Sequence, residues 1–318
     1  MLLIGLLSLV LPGAPEASAQ DAPQRFTSAV DVVSVTAVVR DRRGRLVRDL
    51  DRADFTVIEG GQARPLLDVR LEAEAPVRLA VLVDVSGSMR VGGRAVDARL
   101  AAQQLFSALR PGDEAAVYAF DTQLERMTGF TADPEQLQGA LDSVMPPFGQ
   151  TSILDAVAQA AQETASQAPR PAGPGRVPAR LAIVLLTDGI DTSSRLSPSE
   201  VMGIAGEIDV PVYVLAVLSP VDDPRHHPDG KAAQAASELG NLSRWTGGEL
   251  FTASAPAHAS IAARQIVDEL RHQYVLAFEA SPERGWRPVE VRARNPRHSV
   301  RTRAGYMAGT ERPTGLQD

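Results

Sequence analysis

The sequence predicts an α/β protein, with a three-layer, doubly wound, mostly parallel sheet and a small β domain built from the N- and C-terminal flanks. Three observations support this fold class. Uninterrupted apolar runs are typical of strands that are buried on both faces of a parallel sheet. Segments with helical spacing separate these runs, which indicates βαβ units. Strand-like segments occur at both ends of the chain, and neither end has enough of them to form a sheet with its own core.

The first twenty residues have the pattern of a secretory signal. The apolar run Leu2–Leu11 is about half as long as a bilayer span requires. It ends at Pro12, and the small residues Ala17 and Ala19 predict cleavage after Ala19, although no Lys or Arg precedes the run. We therefore expect residues 1–19 to be the signal peptide of an exported protein, either periplasmic or secreted. An N-terminal anchor or core helix is the alternative, and the mature chain contains no predicted membrane span.

Residues 26–75 are predicted to form an N-terminal β segment. The stretch 30–39 is rich in β-branched residues, and two shorter strands are expected at 55–58 and 66–69. The intervening turn, residues 40–45, carries several arginines. Because aspartates interleave with them, we interpret this turn as a solvated hairpin and not as a polyanion site.

Residues 77–272 alternate between strands and helices. Strands are predicted at 79–83, 115–120, 181–186 and 210–218. Helices are predicted at 95–109, 133–145, 152–166, 197–208, 231–246 and 257–272. Two stretches rich in proline or charge, 168–179 and 221–230, are expected to be exposed loops. The second loop contains His226 and His227, which lack a third soft ligand nearby and are expected to be solvated.

Residues 273–307 are predicted to return to β-structure after the last helix. Strands are expected at 274–278, 289–294 and 300–304. Since so few strands cannot enclose a core, we expect them to pair with the N-terminal β segment.

Composition excludes several classes of function. The chain has 318 residues, of which 44% are apolar and 22% charged, as in ordinary globular proteins. Only 4% are aromatic and the net charge is −7, so we expect no nucleic-acid partner. There is no cysteine, which removes disulfides, thiolate metal sites and cysteine nucleophiles.

Oxygen-bearing side chains follow the predicted buried strands. In an open α/β sheet, ligands bind at the carboxyl ends of the strands, so side chains at these positions should converge. Carboxylates and hydroxyls without nitrogen or sulfur suit Mg²⁺, Mn²⁺ or Ca²⁺, and not zinc or copper. The candidate metal ligands are Asp84, Ser86, Ser88, Thr151 and Asp188.

Each candidate also has a purely structural interpretation. Asp84 and the two serines after it could cap the following helix, because Asp and Ser are favoured N-caps. Thr151 or Ser152 could cap the helix at 152–166, which is compatible with metal binding by Thr151. Asp188 could be a turn residue before Gly189. Phe148 either lines the upper rim of the site or is buried.

The candidate ligands resemble the metal-ion-dependent adhesion site (MIDAS) of the von Willebrand factor type A (VWFA) domain. Asp84-Val85-Ser86-Gly87-Ser88 matches its DxSxS motif, and Thr151 and Asp188 match the later Thr and Asp. The resemblance covers about residues 77–272. The flanks on both sides resemble those of a bacterial, exported VWFA-related family.

The resemblance implies a binding module without enzymatic activity. Its MIDAS would hold a divalent cation, with Mg²⁺ preferred over Mn²⁺ or Ca²⁺, and would capture a carboxylate of a protein partner. Two carboxylates neutralise a divalent ion only in part, so the site can accept an external carboxylate. No catalytic residue is expected, and the sequence does not identify the partner.

A metal-dependent hydrolase or phosphotransferase using Asp84 is the competing interpretation. An aspartyl nucleophile generally has a second acidic residue two positions later, where this chain has Ser86. Ser86 also lacks the Gly-x-Ser-x-Gly surroundings of a serine hydrolase, and no Gly-x-x-x-x-Gly-Lys phosphate loop is present. A metal-free scaffold is the third possibility.

Overall fold

The computed structural model describes residues 31–73, 75–167, 178–217 and 231–309. The predicted signal peptide, most of the two predicted loops, and both His226 and His227 lie outside these ranges. The strands are β1 (Val32–Arg40), β2 (Phe55–Glu59), β3 (Gln62–Arg64), β4 (Leu66–Glu72), β5 (Val77–Asp84), β6 (Glu114–Phe120), β7 (Leu124–Thr131), β8 (Arg180–Thr187), β9 (Val212–Val217), β10 (Leu250–Ala253), β11 (Gln273–Glu279), β12 (Gly285–Ala293), β13 (Ser299–Thr302) and β14 (Gly305–Ala308). The helices are α1 (Arg94–Ser107), α2 (Pro134–Asp142), α3 (Ile153–Ser166), α4 (Pro198–Ile208), α5 (Lys231–Thr246) and α6 (Pro256–Arg271).

A six-stranded sheet with the order β10-β9-β8-β5-β6-β7 forms the central layer. All neighbouring pairs are parallel except β6 and β7. One core cluster packs α1, α2 and α6 against one face, and a second packs α3, α4 and α5 against the other. Strand β5 is buried almost throughout, which explains its apolar run. The predicted three-layer, mostly parallel α/β fold is confirmed.

Strands from the two flanks form two antiparallel sheets, ordered β13-β1-β11-β4 and β14-β12-β2-β3. In the first, β1 lies between β11 and β13. In the second, β2 pairs with β12. A third core cluster lies between these sheets and contains Val57, Tyr274 and Phe278. Each sheet therefore combines strands from both flanks. The exact domain boundaries expected from the sequence, at 75–77 and 272–273, stay a prediction.

Buried and partly buried ion pairs connect the antiparallel strands to helix α6 and to strand β8 of the parallel sheet. Glu269 on α6 has no exposed surface and pairs with Arg40 of β1 and Arg301 of β13. Arg180, which begins β8, pairs with Glu72 of β4 at 2.8 Å. The residues from Asp31 onward form one compact unit.

Four strands were not predicted from the sequence: β3, β7, β10 and β14. β7 is an antiparallel edge strand whose residues are partly exposed, so it carries no continuous apolar run. The other three have only three or four residues each and depend on their neighbours for pairing. Within the described ranges, every helix is too short or too polar to traverse a lipid bilayer.

Candidate metal centre

The five candidate ligands lie on three loops at one edge of the parallel sheet. β5 ends at Asp84, and its neighbour β8 ends at Thr187, directly before Asp188. Thr151 precedes α3, which packs on the same sheet. Because β5 and β8 are parallel, their carboxyl ends meet at the same edge, which is where ligands bind in open α/β sheets.

The first loop folds tightly around the carboxylate of Asp84. The backbone N–H of Ser86 donates to Asp84 Oδ1 at 2.8 Å, and the Thr187 hydroxyl donates to Asp84 Oδ2 at 2.5 Å. The hydroxyl oxygens of Ser86 and Ser88 lie 3.1 Å apart. Adjacent ligands of an octahedral Mg²⁺ ion, at about 2.1 Å from the metal, are separated by about 3 Å. The two serines are therefore spaced as neighbouring ligands would be.

Two backbone hydrogen bonds join this loop to the loop before Thr151. The N–H of Gly87 donates to Gly149 O at 3.0 Å, and the N–H of Phe148 donates to Val85 O at 2.8 Å. Gly149 has a φ of 87°, a conformation that favours glycine. A Cβ on Gly87 would lie 3.1 Å from Gly149 O, so a larger residue at position 87 would require the two loops to separate slightly.

The backbone of Thr151 is tied in turn to the loop that follows β8. Its carbonyl accepts from the N–H groups of Thr192 and Ser193, each at 2.9 Å, and its own N–H donates to the Thr192 hydroxyl. Thr151 is only 2% exposed. These bonds complete a chain of contacts through the three loops that carry the predicted ligands, and their joint role as metal ligands stays a prediction.

Asp188 is held by a buried cation that the sequence did not lead us to expect. Nη1 of Arg94, in the first turn of α1, donates to Asp188 Oδ2 and to the carbonyl of Ser88, each at 2.8 Å. Both side chains of the pair are almost fully buried. The Arg94 guanidinium therefore contacts the same carboxylate, that of Asp188, that would bind a metal ion.

Burial gives Asp84 an unusual acidity. Desolvation, with a smaller effect of the nearby Asp188 charge, outweighs the lowering effect of the hydrogen bonds from Ser86 and Thr187, and the pKa of Asp84 is raised to about 6. A buried carboxylate that is ionised at neutral pH is costly unless a cation or hydrogen bonds compensate it. Such perturbed carboxylates are characteristic of functional sites.

The capping interpretation of the first loop is wrong. Helix α1 begins at Arg94 with Gly93 at its N-cap, so none of the first-loop candidates caps it. Ser86 precedes a short 3₁₀ segment and makes no side-chain cap bond. Ser152 occupies the N-cap position of α3, also without a cap bond. Asp188 does act in a turn, because its Oδ1 accepts from the N–H of Ile190 at 3.3 Å.

The donor set fits a hard divalent cation. It offers two carboxylates and three hydroxyls, all oxygen ligands. Among the described residues, no group of three or more His, Cys, Asp or Glu side chains could hold a metal ion. A metal ion held by this donor set would need the hydroxyls as well as the carboxylates, and oxygen donors of this kind suit Mg²⁺, Mn²⁺ or Ca²⁺ better than softer metals.

Two residues of the site had no role in the sequence prediction. Thr187 donates to Asp84, and its position as the last residue of β8 could have revealed it. Arg94 could not have been assigned to Asp188, because the two are 94 positions apart and only the fold brings them together. The sequence left open whether Phe148 lines the rim of the site or is buried. Its side chain is 74% exposed and lies beside the Thr151 loop.

Residues 79–190 match the von Willebrand factor type A domain family. A von Willebrand factor type A structure from Catenulispora acidiphila aligns with a TM-score of 0.50 and 14% identity, covering 89% of this chain and 74% of that chain. The conserved hypothetical protein BatB from Bacteroides thetaiotaomicron aligns with a TM-score of 0.46 and 19% identity, covering 61% of this chain and 98% of that chain.

A further similar structure is proximal thread matrix protein 1 from the mussel byssus, described with a zinc-occupied MIDAS motif. It aligns with a TM-score of 0.47 and 19% identity, covering 68% of this chain and 50% of that chain. No curated protein sequence matches the chain at a significant level. The matched segment contains all five candidate ligands, and the layered sheet described above is the fold of the aligned VWFA structure. Residues 79–190 are therefore similar in sequence to the von Willebrand factor type A domain family, and the layered fold agrees with that similarity.

Proposed function

We propose that this protein is an exported module that binds a protein partner through a divalent cation. Asp84, Ser86, Ser88, Thr151 and Asp188 hold the cation, for which we favour Mg²⁺ over Mn²⁺ or Ca²⁺. When bound, the cation supplies an open coordination position for a carboxylate of the partner. Export to the periplasm or beyond the cell is part of the proposal and depends on the signal-like first nineteen residues.

The observation that supports the proposal is that the three loops carrying the candidate oxygen ligands are hydrogen-bonded to one another. The Ser86 and Ser88 hydroxyls are 3.1 Å apart, as neighbouring ligands would be. Asp84 is buried, and its raised pKa supports a site at which a cation would relieve the cost of the buried charge.

The surroundings of Asp84 in the sequence favour binding over catalysis. An aspartyl nucleophile generally works with a second acidic residue two positions later, where this chain has Ser86. We therefore propose a module without enzymatic activity, in preference to a hydrolase or phosphotransferase that uses Asp84.

Pull-down from a cell-envelope extract tests the proposal. The full chain is immobilised, and the proteins retained in excess Mg²⁺ are compared with those retained in EDTA. Asp84→Ala serves as the site variant and Asp142→Ala, an exposed aspartate on α2, as its matched control. We expect a defined partner that only the wild type and the control retain, and only with Mg²⁺. Equal retention in EDTA would refute the proposal.

A further inference from the structure

Two turns rich in arginine lie side by side at one end of the antiparallel sheets. The first, residues 41–45, closes a hairpin in which Arg40 pairs with Leu46. The second, residues 294–298, connects β12 to β13. Arg40 also pairs with Ser299 where β1 meets β13, so the two turns are neighbours. We refer to residues 41–45 and 294–298 together as the basic tip.

The basic tip is positively charged, although the whole chain has a net charge of −7. It contains one aspartate and five arginines, and all five arginines are exposed: Arg42, Arg43, Arg45, Arg294 and Arg297. The sequence showed only the first turn, which with its interleaved aspartates predicts a solvated hairpin. The fold adds the second turn, which contains no acidic residue, and a local concentration of one charge attracts groups of the opposite charge.

The aspartates near the basic tip are engaged with the protein itself. The carboxylate of Asp41 accepts from the N–H groups of Arg43 and Arg45, at 2.8 and 3.0 Å, and from the Arg45 guanidinium at 2.8 Å. Asp51 and Asp54 form a capping box around the short 3₁₀ turn before β2. These carboxylates stabilise turns, and they leave most of the arginines of the basic tip available to an external anion.

The basic tip lies at the end of the fold away from the candidate metal centre. Arg40, directly before the first turn, pairs with Glu269 in the last turn of α6. Arg271, the last residue of α6, pairs with Asp113, directly before β6. This end of α6 is therefore at the amino ends of the parallel strands, whereas the candidate ligands follow their carboxyl ends. A surface bound at the basic tip would leave the metal centre accessible.

We propose that the basic tip binds the headgroup surface of an anionic lipid bilayer. Guanidinium groups are weakly hydrated, and their paired N–H donors match the oxygens of a phosphate group. Each basic residue near an anionic bilayer strengthens binding about fivefold, so several exposed arginines in one place give substantial affinity. The basic tip is thus a second binding surface of the module, and it acts without the metal ion.

The side chains of the basic tip favour a lipid surface over an acidic protein. Protein interfaces are generally anchored by apolar or aromatic side chains that become buried. Among the described residues, the exposed large apolar side chains all lie outside the two turns. A layer of anionic headgroups needs no such anchor, because charge alone holds a protein at its surface.

Vesicle flotation with the full chain tests the proposal. Vesicles of phosphatidylcholine are compared with vesicles in which about a third of the lipid is phosphatidylglycerol. All samples contain EDTA, so the candidate metal centre does not contribute. We expect binding to the phosphatidylglycerol vesicles alone at about 0.1 M salt and its loss at about 0.5 M salt, because salt screens exposed charges. Equal binding to both kinds of vesicle, or binding to neither, would overturn the proposal.

A triple variant of the basic tip locates the binding surface. Arg42→Gln, Arg43→Gln and Arg297→Gln together should weaken binding to the phosphatidylglycerol vesicles about a hundredfold. The three side chains are exposed, so we expect the variant to fold, which circular dichroism and thermal unfolding check. Undiminished binding by the folded variant would refute the assignment.

A second triple variant controls for net charge. Arg90→Gln, Arg126→Gln and Arg195→Gln remove the same charge from exposed arginines outside the basic tip. Vesicle binding by this variant should stay within about twofold of the wild type, because charges more than a Debye length from the surface are screened. Equal weakening by the two triple variants would mean that net charge decides, against the proposal.

Two competitors separate the bilayer from other sources of negative charge. Inorganic phosphate at constant ionic strength should not displace the vesicles, and displacement would assign the arginines to a free phosphate ion instead. Poly-L-glutamate should compete only weakly. If it binds as tightly as the vesicles, the partner is an acidic protein and the proposal is wrong. Each of these results is independent of the Mg²⁺-dependent retention that tests the proposed function.

Discussion

The carboxylate of Asp84 decreases the stability of the fold at neutral pH and increases its capacity to bind a cation. Its pKa is about 6 in the folded chain, against an ordinary value of 3.8. The folded state therefore binds this proton more tightly than the unfolded state does. As a consequence, the free energy of unfolding decreases as the pH rises from about 4 through about 6.

Asp84→Asn should remove this pH dependence. In EDTA at pH 7.5, we expect the variant to be more stable than the wild type by about 2–3 kcal/mol, because two pKa units correspond to about that free energy. The difference should vanish near pH 4, where both side chains are neutral. Urea unfolding at several pH values measures it. A variant that is less stable than the wild type at pH 7.5 would contradict the account.

The Arg94 guanidinium competes with a cation for Asp188. It already donates to Asp188 Oδ2 at 2.8 Å, in a buried pair. A second positive charge a few ångströms away is disfavoured, all the more where water is excluded. The pair also explains how the buried Asp188 charge is tolerated without metal.

Arg94→Gln should increase the affinity for Mg²⁺ about tenfold, because it removes the competing charge and keeps a group able to donate to Asp188. Isothermal titration with Mg²⁺ measures the change. Arg94→Lys retains the charge, so its affinity should stay close to that of the wild type. A lower affinity of Arg94→Gln would mean that the arginine positions Asp188 for the cation.

At the scale of elements, the loop before Thr151 determines the geometry of the centre. Gly149 has a φ of 87°, and its carbonyl accepts the hydrogen bond from Gly87. A residue with a Cβ is disfavoured in this conformation by about 1 kcal/mol or more. Relaxation of the loop would move Thr151 away from the first loop.

Gly149→Ala should therefore lower both the stability and the affinity for Mg²⁺. We expect a loss of about 1 kcal/mol in the free energy of unfolding and a several-fold weaker Mg²⁺ affinity by titration. Gly112→Ala is the matched control, because Gly112 has a φ of 95°, also in open space, in the turn before β6. It should lose stability alone. Equal effects of the two variants on Mg²⁺ affinity would contradict this role of Gly149.

The same elements show what sequence reasoning can and cannot reach. The apolar run at 79–83 predicted β5, because a strand buried on both faces needs apolar side chains at every position. The alternation of such runs with helices predicted the layers, and the strand ends predicted the candidate ligands. Edge strand β7 was missed because one exposed face and one partner strand impose no comparable pattern.

Contacts between residues far apart in the chain could not be predicted from the sequence, for a different reason. The contacts of Arg94 with Asp188 and of Glu269 with Arg40 join positions far apart in the chain. Side-chain type alone does not encode such pairs, because their geometry arises only when the layers pack.

At the scale of the whole molecule, Glu269 links helix α6 to strands β1 and β13. Its buried carboxylate pairs with two arginines that each retain some exposure. Removing the charge leaves both guanidinium groups without their shared partner. Breaking a buried ion pair in this way typically costs about 3–5 kcal/mol.

Glu269→Gln should lower the free energy of unfolding by about 3 kcal/mol in urea. Asp268→Asn is the matched control, because the neighbouring Asp268 forms an exposed pair with Arg48 and should contribute less than about 1 kcal/mol. Far-UV circular dichroism and tryptophan fluorescence should report the same midpoint in each variant. Two separate transitions would mean that the antiparallel sheets unfold on their own.

The pairing of β1 with β11 and β13 has a consequence for biosynthesis. Val32 faces Glu279 in this sheet, so β1 leaves the ribosome long before either of its partner strands has been translated. During that interval an apolar strand with two open edges is prone to aggregation. Contacts so distant in sequence also slow folding. Nascent chains should therefore depend on a holdase chaperone until β13 has been translated, and premature stop codons between β11 and β13 should yield insoluble products.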